Sequence, residues 1–522
     1  MKTTFPTPDS RASARYSCFV WAVVLQVLIM LLGLRSSHAG SATWNLNPTN
    51  GDWNTGANWT PATVPNGPMD TATFDVSNIT DLSLSINTEV KAMMFNSGAS
   101  AYTITAGPSY MLTISNTVNG IGIVNRSGVT QTFVTAAASL PGSIFFTNGA
   151  NAGRETLFIN NGAEVSHGNA GYIEFLDYSD AGNGTFINNG GTADGAFGGE
   201  VQFQNFSGAE NGTFVNNGGT ANDALGGVTS FLGTTFADNS TLIANGGSGG
   251  GKGGSITVSD FVNGGTARVE VFGDGNLDIS FTGTGVKFGS IEGDGLVFLG
   301  AKNLTVGSND LSTTFSGVIQ DGGSGGGTGG SLTKLGNGRL VLASVSTYTG
   351  GTTIKGKGEF VVSNISGSAT GSGPVQVGGG MFGGTGTVAG PVTVGRGIGR
   401  GAVLAPGKSG AHPGTITIQS ALIFNSNGTY LFGLNSDTGT ADQVVASGVT
   451  INSGAPFSPS DVGVSALSPG TVFTVISNTA ATSIAGTFSN LPDGSTFTIG
   501  SNTFQANYEG GDGNDLTLTV VP

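Results

Sequence analysis

Apolar and polar positions in the middle of the chain repeat with a constant period of 28 residues. The stretch "GTFINNGGTADGAFGG" at 184–199 returns as "GTFVNNGGTANDALGG" at 212–227. Related segments at 156–162 and 240–247 extend the series to four copies. One apolar and one asparagine position keep the same phase throughout: Ile159, Ile187, Val215 and Ile243, and Asn161, Asn189, Asn217 and Asn245. A fixed period of roughly 20–50 residues is typical of solenoids, propellers and other repeat arrays.

Each repeat contains two short segments that alternate with the period of a β-strand. The second of them reads "GYIEF" from 171, "GEVQF" from 199 and "GVTSF" from 227. In the middle copy, Val201 and Phe203 alternate with glutamines, which places apolar side chains on one side of the strand and polar ones on the other. Corners rich in glycine and asparagine separate these segments, and no helical pattern lies between them.

We therefore predict an all-β fold, a right-handed parallel β-helix (β-solenoid) with an N-terminal cap and a C-terminal β cap or small β domain. Strands of successive coils would stack about 4.8 Å apart, and the right hand is the preferred hand of parallel crossovers. Asparagines at equivalent positions of successive coils would then form hydrogen bonds between their side-chain amides. These bonds explain why polar residues repeat as faithfully as apolar ones. A propeller blade needs about 40–50 residues, and turns in an array of β-sandwiches require no fixed phase, so these alternatives fit less well.

Apolar pairs continue beyond the array with looser spacing, and we interpret them as further rungs: Leu340 and Leu342, Phe360 and Val362, Val375 and Val377, Val392 and Val394, and Ile416 and Ile418. Two glycine-rich stretches, at 245–254 and 321–330, interrupt the pattern. They lack the G-x-x-x-x-G-K-[ST] spacing and the following helix of a phosphate-binding loop. We expect flexible loops that bulge from corners of the coil.

Residues 330–362 read "GSLTKLGNGRLVLASVSTYTGGTTIKGKGEFVV". This stretch resembles the autotransporter-associated β-strand repeat, also called the passenger-associated transport repeat, of large exported bacterial proteins. The matching positions are Gly330, Leu332, Lys334, Gly336, Gly338, Leu340, Leu342, 348–354, Gly358 and Val362. Further stretches look like parts of similar proteins: 51–74, 404–418, 439–448, 470–476 and 508–521.

The resemblance implies an exported β-helical passenger in which the repeat helps export and lengthens the stalk. We therefore predict a non-enzymatic protein with a structural or adhesive role at the cell surface or outside the cell. The expected partners are a surface polysaccharide or another cell-surface ligand and, transiently, the export machinery, with no small-molecule cofactor. Autotransporters end in a translocator barrel, for which residues 401–522 are too few and too irregular. We therefore expect release, or retention at the surface by another route.

The chain is expected to contain five segments. A basic leader, an apolar run at 19–34 and small residues before a cleavage point after Ala39 predict a secretory signal peptide. An uncleaved membrane anchor is the alternative, but the run is shorter than the about 20 residues of a span. The segments are 1–39, the signal peptide; 40–135, the N-terminal cap and first rungs; 136–329, the solenoid of 28-residue repeats; 330–400, the autotransporter-associated repeat region; and 401–522, the C-terminal rungs, as a cap or a separate β domain.

Composition narrows the class of protein. Glycine accounts for 92 of the 522 residues and charged residues for only 10%, against roughly 25% charged residues in an average globular protein. The formal net charge is −14, so we expect neither a nucleic acid nor an anionic membrane as partner, because both require basic patches. The only cysteine, Cys18, lies in the predicted signal peptide, which leaves the mature chain without disulfides.

The sequence contains no Gly-x-Ser-x-Gly elbow that leads from a strand into a helix and no H-E-x-x-H motif, and we predict no catalytic, cofactor-binding or metal-binding residue. His167 and His412 stand alone, without a Cys, Asp or Glu at ligand spacing. Because many β-helices act on polysaccharides, the alternative function is a polysaccharide lyase or hydrolase that uses paired carboxylates. The candidates are Glu174 with Asp177, or Asp177 with Asp180, with Arg154 nearby. Since Glu174 alternates with apolar neighbours, we expect it to face solvent.

Two further motifs each have a functional and a structural interpretation. "GGDGND" at 510–515 is similar to the calcium-binding glycine-rich nonapeptide, with Asp512 or Asp515 as ligand. It occurs only once, and Thr517 stands where a large apolar residue is due, so we expect a turn into a last strand. Three tryptophans near the mature N-terminus are able to stack on sugars, but we favour a cap over the open end of the solenoid: Trp44, Trp53 and Trp59.

Overall fold

The computed structural model describes residues 40–116, 120–407 and 412–522, so the predicted signal peptide at 1–39 lies outside the described residues. Within these ranges the chain forms 46 β-strands and one short 3-10 helix, Gly56–Asn58. No helix of this part is long and apolar enough to cross a membrane. The strands form four sheets, named A to D, and most neighbours in each sheet are parallel.

Sheet A contains 14 strands and covers the first part of the solenoid. Its end pair, Ala42–Trp44 with Trp59–Thr60, is antiparallel. The other strands are parallel to their neighbours. In chain order they are Gly67–Phe74, Thr88–Phe95, Met111–Asn116, Ile123–Asn125, Ser143–Asn148, Tyr172–Phe175, Glu200–Phe203, Val228–Phe231, Ser255–Asp260, Asn276–Thr282, Leu296–Phe298 and Val318–Gln320.

Sheet B contains 17 strands and extends along most of the chain. One short strand, Thr440–Ala441, pairs antiparallel with Gly428–Asn435, and the other pairings are parallel. The other strands are Asp81–Ser83, Thr103–Ala106, Gln131–Thr135, Arg154–Asn160, Asn183–Asn188, Thr213–Asn216, Thr241–Ala244, Arg268–Val271, Ser290–Gly293, Thr313–Phe315, Leu340–Leu342, Glu359–Val362, Gly380–Gly384, Ala402–Pro406 and Phe457–Asp461.

Sheets C and D form further faces of the coil in the second half of the chain. Sheet C has eight parallel strands: Gly285–Lys287, Asn303–Val306, Ser331–Lys334, Thr352–Ile354, Val375–Val377, Val392–Val394, Leu422–Phe424 and Val449–Ile451. Sheet D has seven, and its last three pairings are antiparallel. Its strands are Thr387–Val388, Thr415–Ile418, Gln443–Ala446, Val472–Asn478, Thr496–Ile499, Asn502–Gly510 and Asp515–Val521.

The register of the predicted 28-residue array is confirmed by the strand pairing. Phe186 pairs with Phe214 in sheet B, and three of the four asparagines that we singled out are hydrogen-bonded between coils. The Nδ2 group of Asn217 donates to Oδ1 of Asn189 at 3.0 Å, and that of Asn245 donates to Oδ1 of Asn217 at 3.0 Å. Successive coils therefore pair in register, and the predicted parallel β-helix is confirmed. Its right hand stays a prediction.

A second asparagine ladder lies inside the coil, one residue before the first. Asn160, Asn188 and Asn216 are fully buried. Asn160 Nδ2 donates to Asn188 Oδ1 at 2.7 Å, and Asn188 Nδ2 donates to Asn216 Oδ1 at 2.8 Å. Buried amides are tolerated here because neighbouring amides satisfy most of their hydrogen-bonding groups.

Two ladders of stacked phenylalanines fill the apolar core of the array. In sheet B the rings of Phe158 and Phe186 are parallel with centroids 4.6 Å apart, and in sheet A those of Phe175 and Phe203 are 4.7 Å apart. The two ladders meet edge to face, as Phe175 and Phe186 do at 5.6 Å. The repeat thus places the same ring contacts in successive coils, until Leu242 follows Phe214 in sheet B and Val258 follows Phe231 in sheet A.

The N-terminal tryptophans are core residues of the first coil. Trp44, Trp53 and Trp59 are at most 1% exposed. Both Trp44 and Trp53 pack edge to face on Trp59 at 5.0 Å. Each indole N–H donates to a backbone carbonyl, for example that of Trp53 to the carbonyl of Pro65 at 3.0 Å. This geometry fits the cap interpretation and leaves no free aromatic face for a sugar.

The downstream rungs belong to three sheets, whereas the sequence suggested one series. Leu340 pairs with Phe360 in sheet B, Val375 with Val392 in sheet C, and Ile416 lies in sheet D. Residues 401–522 add strands to sheets B, C and D and share the apolar core that begins at Ala42. Their strands therefore continue the sheets of the solenoid, and the last three pairings are antiparallel.

The glycine-rich stretches are packed against the coil and do not bulge from it. In 245–254, the N–H groups of Gly247 and Gly253 donate to the two carboxylate oxygens of Asp274. A Cβ on Gly251 would lie 2.3 Å from the backbone of the coil before it, so only glycine permits this approach. The stretch 321–330 folds over sheet A, where the N–H of Ser324 donates to Asp278 at 2.8 Å.

Candidate functional site

Three carboxylates from successive coils meet at the corner that precedes sheet B. We name Asp180, Glu210 and Asp238 the acidic corner. The segments that carry them are stacked through parallel bridges, which link Asp180 to Gly208 and Gly208 to Phe236. In each coil the central alanine of the corner is fully buried: Ala181, Ala209 and Ala237. Burial of the alanine directs the residues on either side of it outward.

Gly208 creates the space between the acids. The carboxylate oxygens of Asp180 and Asp238 each lie 2.8 Å from the point that a Cβ on Gly208 would occupy. The two oxygens are therefore no farther apart than twice that distance, and any side chain at 208 would displace them. Asp238 Oδ2 also accepts the N–H of Glu210 at 3.1 Å.

Backbone conformation adds to the unusual character of this corner. Glu210 and Asp238 have φ of 43° and 47°, while glycine occupies the equivalent place in the flanking coils as Gly182 and Gly265. A glutamate is rarely found in the left-handed region, and strained backbone of this kind concentrates at functional sites. The corner therefore holds acids where its neighbours use glycine.

Two acids of the corner, Asp180 and Asp238, have raised pKa values. Burial, together with the charges of Glu210 and Asp238, raises the pKa of Asp180 to about 7. Burial also raises the pKa of Asp238, against the lowering effect of the hydrogen bond from the Glu210 N–H. The negative charges of Glu210 and Asp238 therefore oppose the ionisation of Asp180. The corner can thus both donate and accept a proton near neutrality.

Two open depressions adjoin at Glu210. The first has a volume of about 390 Å³ and is lined by the three acids together with Asn211, Phe236 and Asn239. The second has a volume of about 360 Å³, and its lining includes Arg126, Arg154 and Glu210. Acidic and basic groups from adjacent coils therefore line one continuous part of the surface.

The structure separates the acids that the sequence suggested as pairs. Asp180 lies in the acidic corner, with Arg154 in the adjoining depression. Asp177 lies at another corner, where its carboxylate accepts the N–H of Asn148 at 3.0 Å. Glu210 and Asp238 escaped the sequence reasoning, although both follow the buried alanine of the repeat, in "GAEN" and "FADN".

The prediction that Glu174 faces solvent is wrong. Glu174 does point away from the core, but it is only 2% exposed. Side chains of the same and the next coil cover it, and Gln204 Nε2 donates to its Oε1 at 2.5 Å. Burial and the charge of Glu200 raise its pKa to about 7. On a flat stack of coils, large outward side chains shield one another, which an alternating pattern in one strand does not reveal.

The other candidate residues have structural surroundings. His167 and His412 are exposed. Residues 510–515 form the turn between two antiparallel strands of sheet D, and the Asp515 carboxylate accepts the N–H of Asn478 at 2.8 Å. Among the described residues there is no group of three or more His, Cys, Asp or Glu side chains arranged to hold a metal ion. The expected turn into a last strand is confirmed.

No protein-family model matches the chain, and no curated protein matches it. The resemblance of residues 330–362 to the autotransporter-associated repeat stays a prediction.

Proposed function

We propose that this protein is an exported, non-enzymatic β-solenoid passenger with a structural or adhesive role at the cell surface or outside the cell. The observation that carries the proposal is the unbroken stacking of the coils. Sheet B alone joins 17 strands, and one apolar core includes residues from Ala42 to Val520. Stacked repeats of this kind produce length and extended surfaces for binding.

Polar side chains of the 330–362 segment support the scaffold role. Lys334 is 2% exposed, and its ammonium group donates to the carbonyl of Gly338 at 2.7 Å. Tyr348 is fully buried, and its hydroxyl shares a hydrogen bond of 2.5 Å with Thr352 Oγ1. Both residues therefore hold bends of the coil. Their role agrees with the resemblance to an exported-passenger repeat, in which the same positions recur.

The proposal is tested with the purified chain from residue 40 to residue 522 on a panel of plant and bacterial glycans. We expect retention on one or more surface polysaccharides without any cleavage. Release of new reducing ends or of unsaturated uronate would overturn the non-enzymatic role. Export is tested separately by fractionating producing bacteria, where we expect the chain outside the inner membrane and without residues 1–39.

A second candidate, a polysaccharide lyase or hydrolase, is favoured by the acidic corner. Asp180 and Asp238 are close enough for a pair of the retaining kind, whose carboxyl groups are about 5–5.5 Å apart. A pKa of about 7 suits Asp180 to proton transfer at neutral pH. If the glycan panel reveals cleavage, Asp180→Asn and Asp238→Asn should each abolish it, whereas Asp177→Asn, at a different corner, should not.

A further inference from the structure

A strip of cations follows one corner of the coil, between sheets C and B. Residues 331–401 contain six Lys or Arg residues and a single acid, Glu359, although the whole chain has a net charge of −14. Successive corners stack directly, because Gly378 N–H donates to the carbonyl of Ile354 and Gly395 N–H to that of Val377, both at 2.8 Å. Four of the six cations form what we name the basic corner: Lys355, Lys357, Arg396 and Arg400.

The cations of the basic corner are free. All four are exposed, and none takes part in an ion pair within the described ranges of the chain. The other two basic residues of the segment, Lys334 and Arg339, have partners within the protein. Lys334 is buried and bonded to carbonyls, and Arg339 pairs with Glu359 at 3.5 Å. The corner therefore presents uncompensated positive charge.

The loop that carries the two arginines is built around one carboxamide. Asn427 Oδ1 accepts the N–H groups of Arg396 and Gly397 at 2.9 and 2.7 Å. Asn427 Nδ2 donates to the carbonyls of Ile398 and Arg400, both at 2.9 Å. All of these bonds hold backbone, so the side chains of both arginines stay available on an ordered support.

A corner without side chains, 378–380, lies between the arginines and the lysines. It consists of glycines, and the guanidinium group of Arg396 lies directly over Gly378, with Nε only 2.4 Å from the point of an added Cβ. Arg400 Cδ lies 3.7 Å from the corresponding point on Gly379. The arginines thus extend across this glycine corner toward Lys355 and Lys357. The four charges form a narrow strip over neighbouring coils, which are about 4.8 Å apart.

We infer that the basic corner binds an acidic polysaccharide, a linear glycan that carries carboxylate or sulfate groups. Arginine recognises such groups through paired hydrogen bonds, and a thin flexible chain can follow a strip one corner wide. A broad anionic surface, such as a membrane or duplex DNA, would also meet the acidic remainder of the protein, beginning with exposed Asp310, two coils before Lys357. This inference rests on the proposed adhesive role and names its partner class.

The test measures binding of the chain 40–522 to polygalacturonate, chondroitin sulfate, neutral dextran, phosphatidylglycerol vesicles and duplex DNA. We expect binding to the two acidic glycans that weakens with added salt. The variant with Lys355→Gln, Lys357→Gln, Arg396→Gln and Arg400→Gln should bind them at least about tenfold more weakly. The double variant Lys355→Gln with Lys357→Gln should also show a clear loss of binding. Its matched control is Lys252→Gln with Lys287→Gln, which removes two exposed lysines elsewhere on the chain and should change binding less than about twofold.

A further variant, Asn427→Ala, keeps all four cations but removes the hydrogen bonds that hold the backbone of the arginine loop. It therefore separates the effect of charge from the effect of an ordered loop. It should bind acidic glycans with intermediate affinity, and the melting temperature of each variant shows that the fold is intact. Wild-type affinity in the four-charge variant would overturn the basic corner while leaving adhesion elsewhere on the chain. Preference for vesicles or DNA would overturn it in favour of those partners. Glycan cleavage would instead remove the non-enzymatic role, and the charge variants would still decide the corner.

Discussion

At the scale of single residues, the inner asparagine ladder shows how the repeat uses buried polar groups. Asn188 accepts from one neighbour and donates to the next, and its amide also donates to the carbonyl of Val228 at 2.9 Å. Asn216 ends the ladder, because Ala244 occupies the next coil. Its Oδ1 accepts two bonds, but its Nδ2 has no hydrogen-bond partner.

The two asparagines should therefore differ in their contribution to stability. Asn188→Ala removes a donor and an acceptor from buried neighbours, so we expect it to lower the free energy of unfolding by about 2–4 kcal/mol. Asn216→Ala also removes an unsatisfied amide group, so its cost should be smaller by about 1 kcal/mol or more. Urea unfolding of the two variants measures the difference. Equal losses would mean that the Nδ2 of Asn216 is satisfied in solution.

Burial of Glu174 predicts an unusual dependence of stability on pH. Its pKa is about 7 in the folded chain, against 4.5 for the ordinary group, so the folded state binds more protons between these values. The stabilising contribution is fully present below pH 4.5 and is lost as the pH rises through 7. Wild-type protein should therefore lose roughly 1–3 kcal/mol of stability between pH 5 and pH 8 through this group.

Glu174→Gln imitates the protonated form and should flatten this dependence. Its melting temperature should equal that of the wild type near pH 5 and exceed it at pH 8. Glu164→Gln, at an exposed position, removes a similar charge and serves as the matched control, with a pH profile parallel to that of the wild type. A Glu174→Gln profile that also follows the wild type would show that Glu174 is ionised in the fold.

At the scale of elements, the phenylalanine ladders carry the stability of the array. Phe186 stacks between Phe158 and Phe214 at 4.6 and 4.8 Å and is fully buried. Phe206 stacks on Tyr178 at a similar distance, 5.3 Å, but outside the coil, where it is 48% exposed. The same type of ring contact thus occurs inside and outside.

Alanine substitutions separate burial from stacking. Phe186→Ala should lower the free energy of unfolding by about 3–5 kcal/mol, because it leaves a cavity in a close-packed ladder. Phe206→Ala should cost less than about 1 kcal/mol, since it loses one stacking contact in solvent. Chemical denaturation of the two variants measures both values. Similar costs would mean that ring stacking, rather than burial, holds the coils together.

The array could be predicted from the sequence because equivalent positions of stacked coils carry the same residue types. Phe186 and Phe214 share one environment, so they share one residue type, and their spacing predicts their pairing. Sheets C and D escaped prediction because later coils differ in length, and apolar pairs such as Val375–Val377 do not indicate which sheet they join. The acidic corner escaped for another reason, since Asp180, Glu210 and Asp238 meet only through the register of three coils.

At the scale of the whole molecule, net charge is a poor guide to local surfaces. The sum of −14 argues against polyanionic partners, yet residues 331–401 place four of their six cations along one corner. The solenoid explains this contrast, because its coils are added one after another and each surface strip depends on a short segment of sequence. A stalk of this kind can present regions of opposite charge at different heights.

The ends of the stack are where the whole molecule is most vulnerable to aggregation. A stack of parallel strands presents unpaired backbone groups at its last coil. Here the cap covers the first coil with the short antiparallel strand Trp59–Thr60 and with tryptophans over the core. A chain that starts at residue 67 would leave the strand Gly67–Phe74 as an open edge and uncover Phe74, which is now fully buried.

We expect this shortened chain to assemble end to end, with a mass that rises with concentration in light scattering after size-exclusion chromatography. Thr71→Lys with Thr73→Lys in the same chain is the matched control, because both residues alternate with the buried positions of that strand. Lysines on an edge strand repel a second edge, so the control should return to a monomer while keeping its β-sheet content. If the shortened chain without lysines is itself monomeric at all concentrations, the tryptophan coil contributes packing but does not protect the edge.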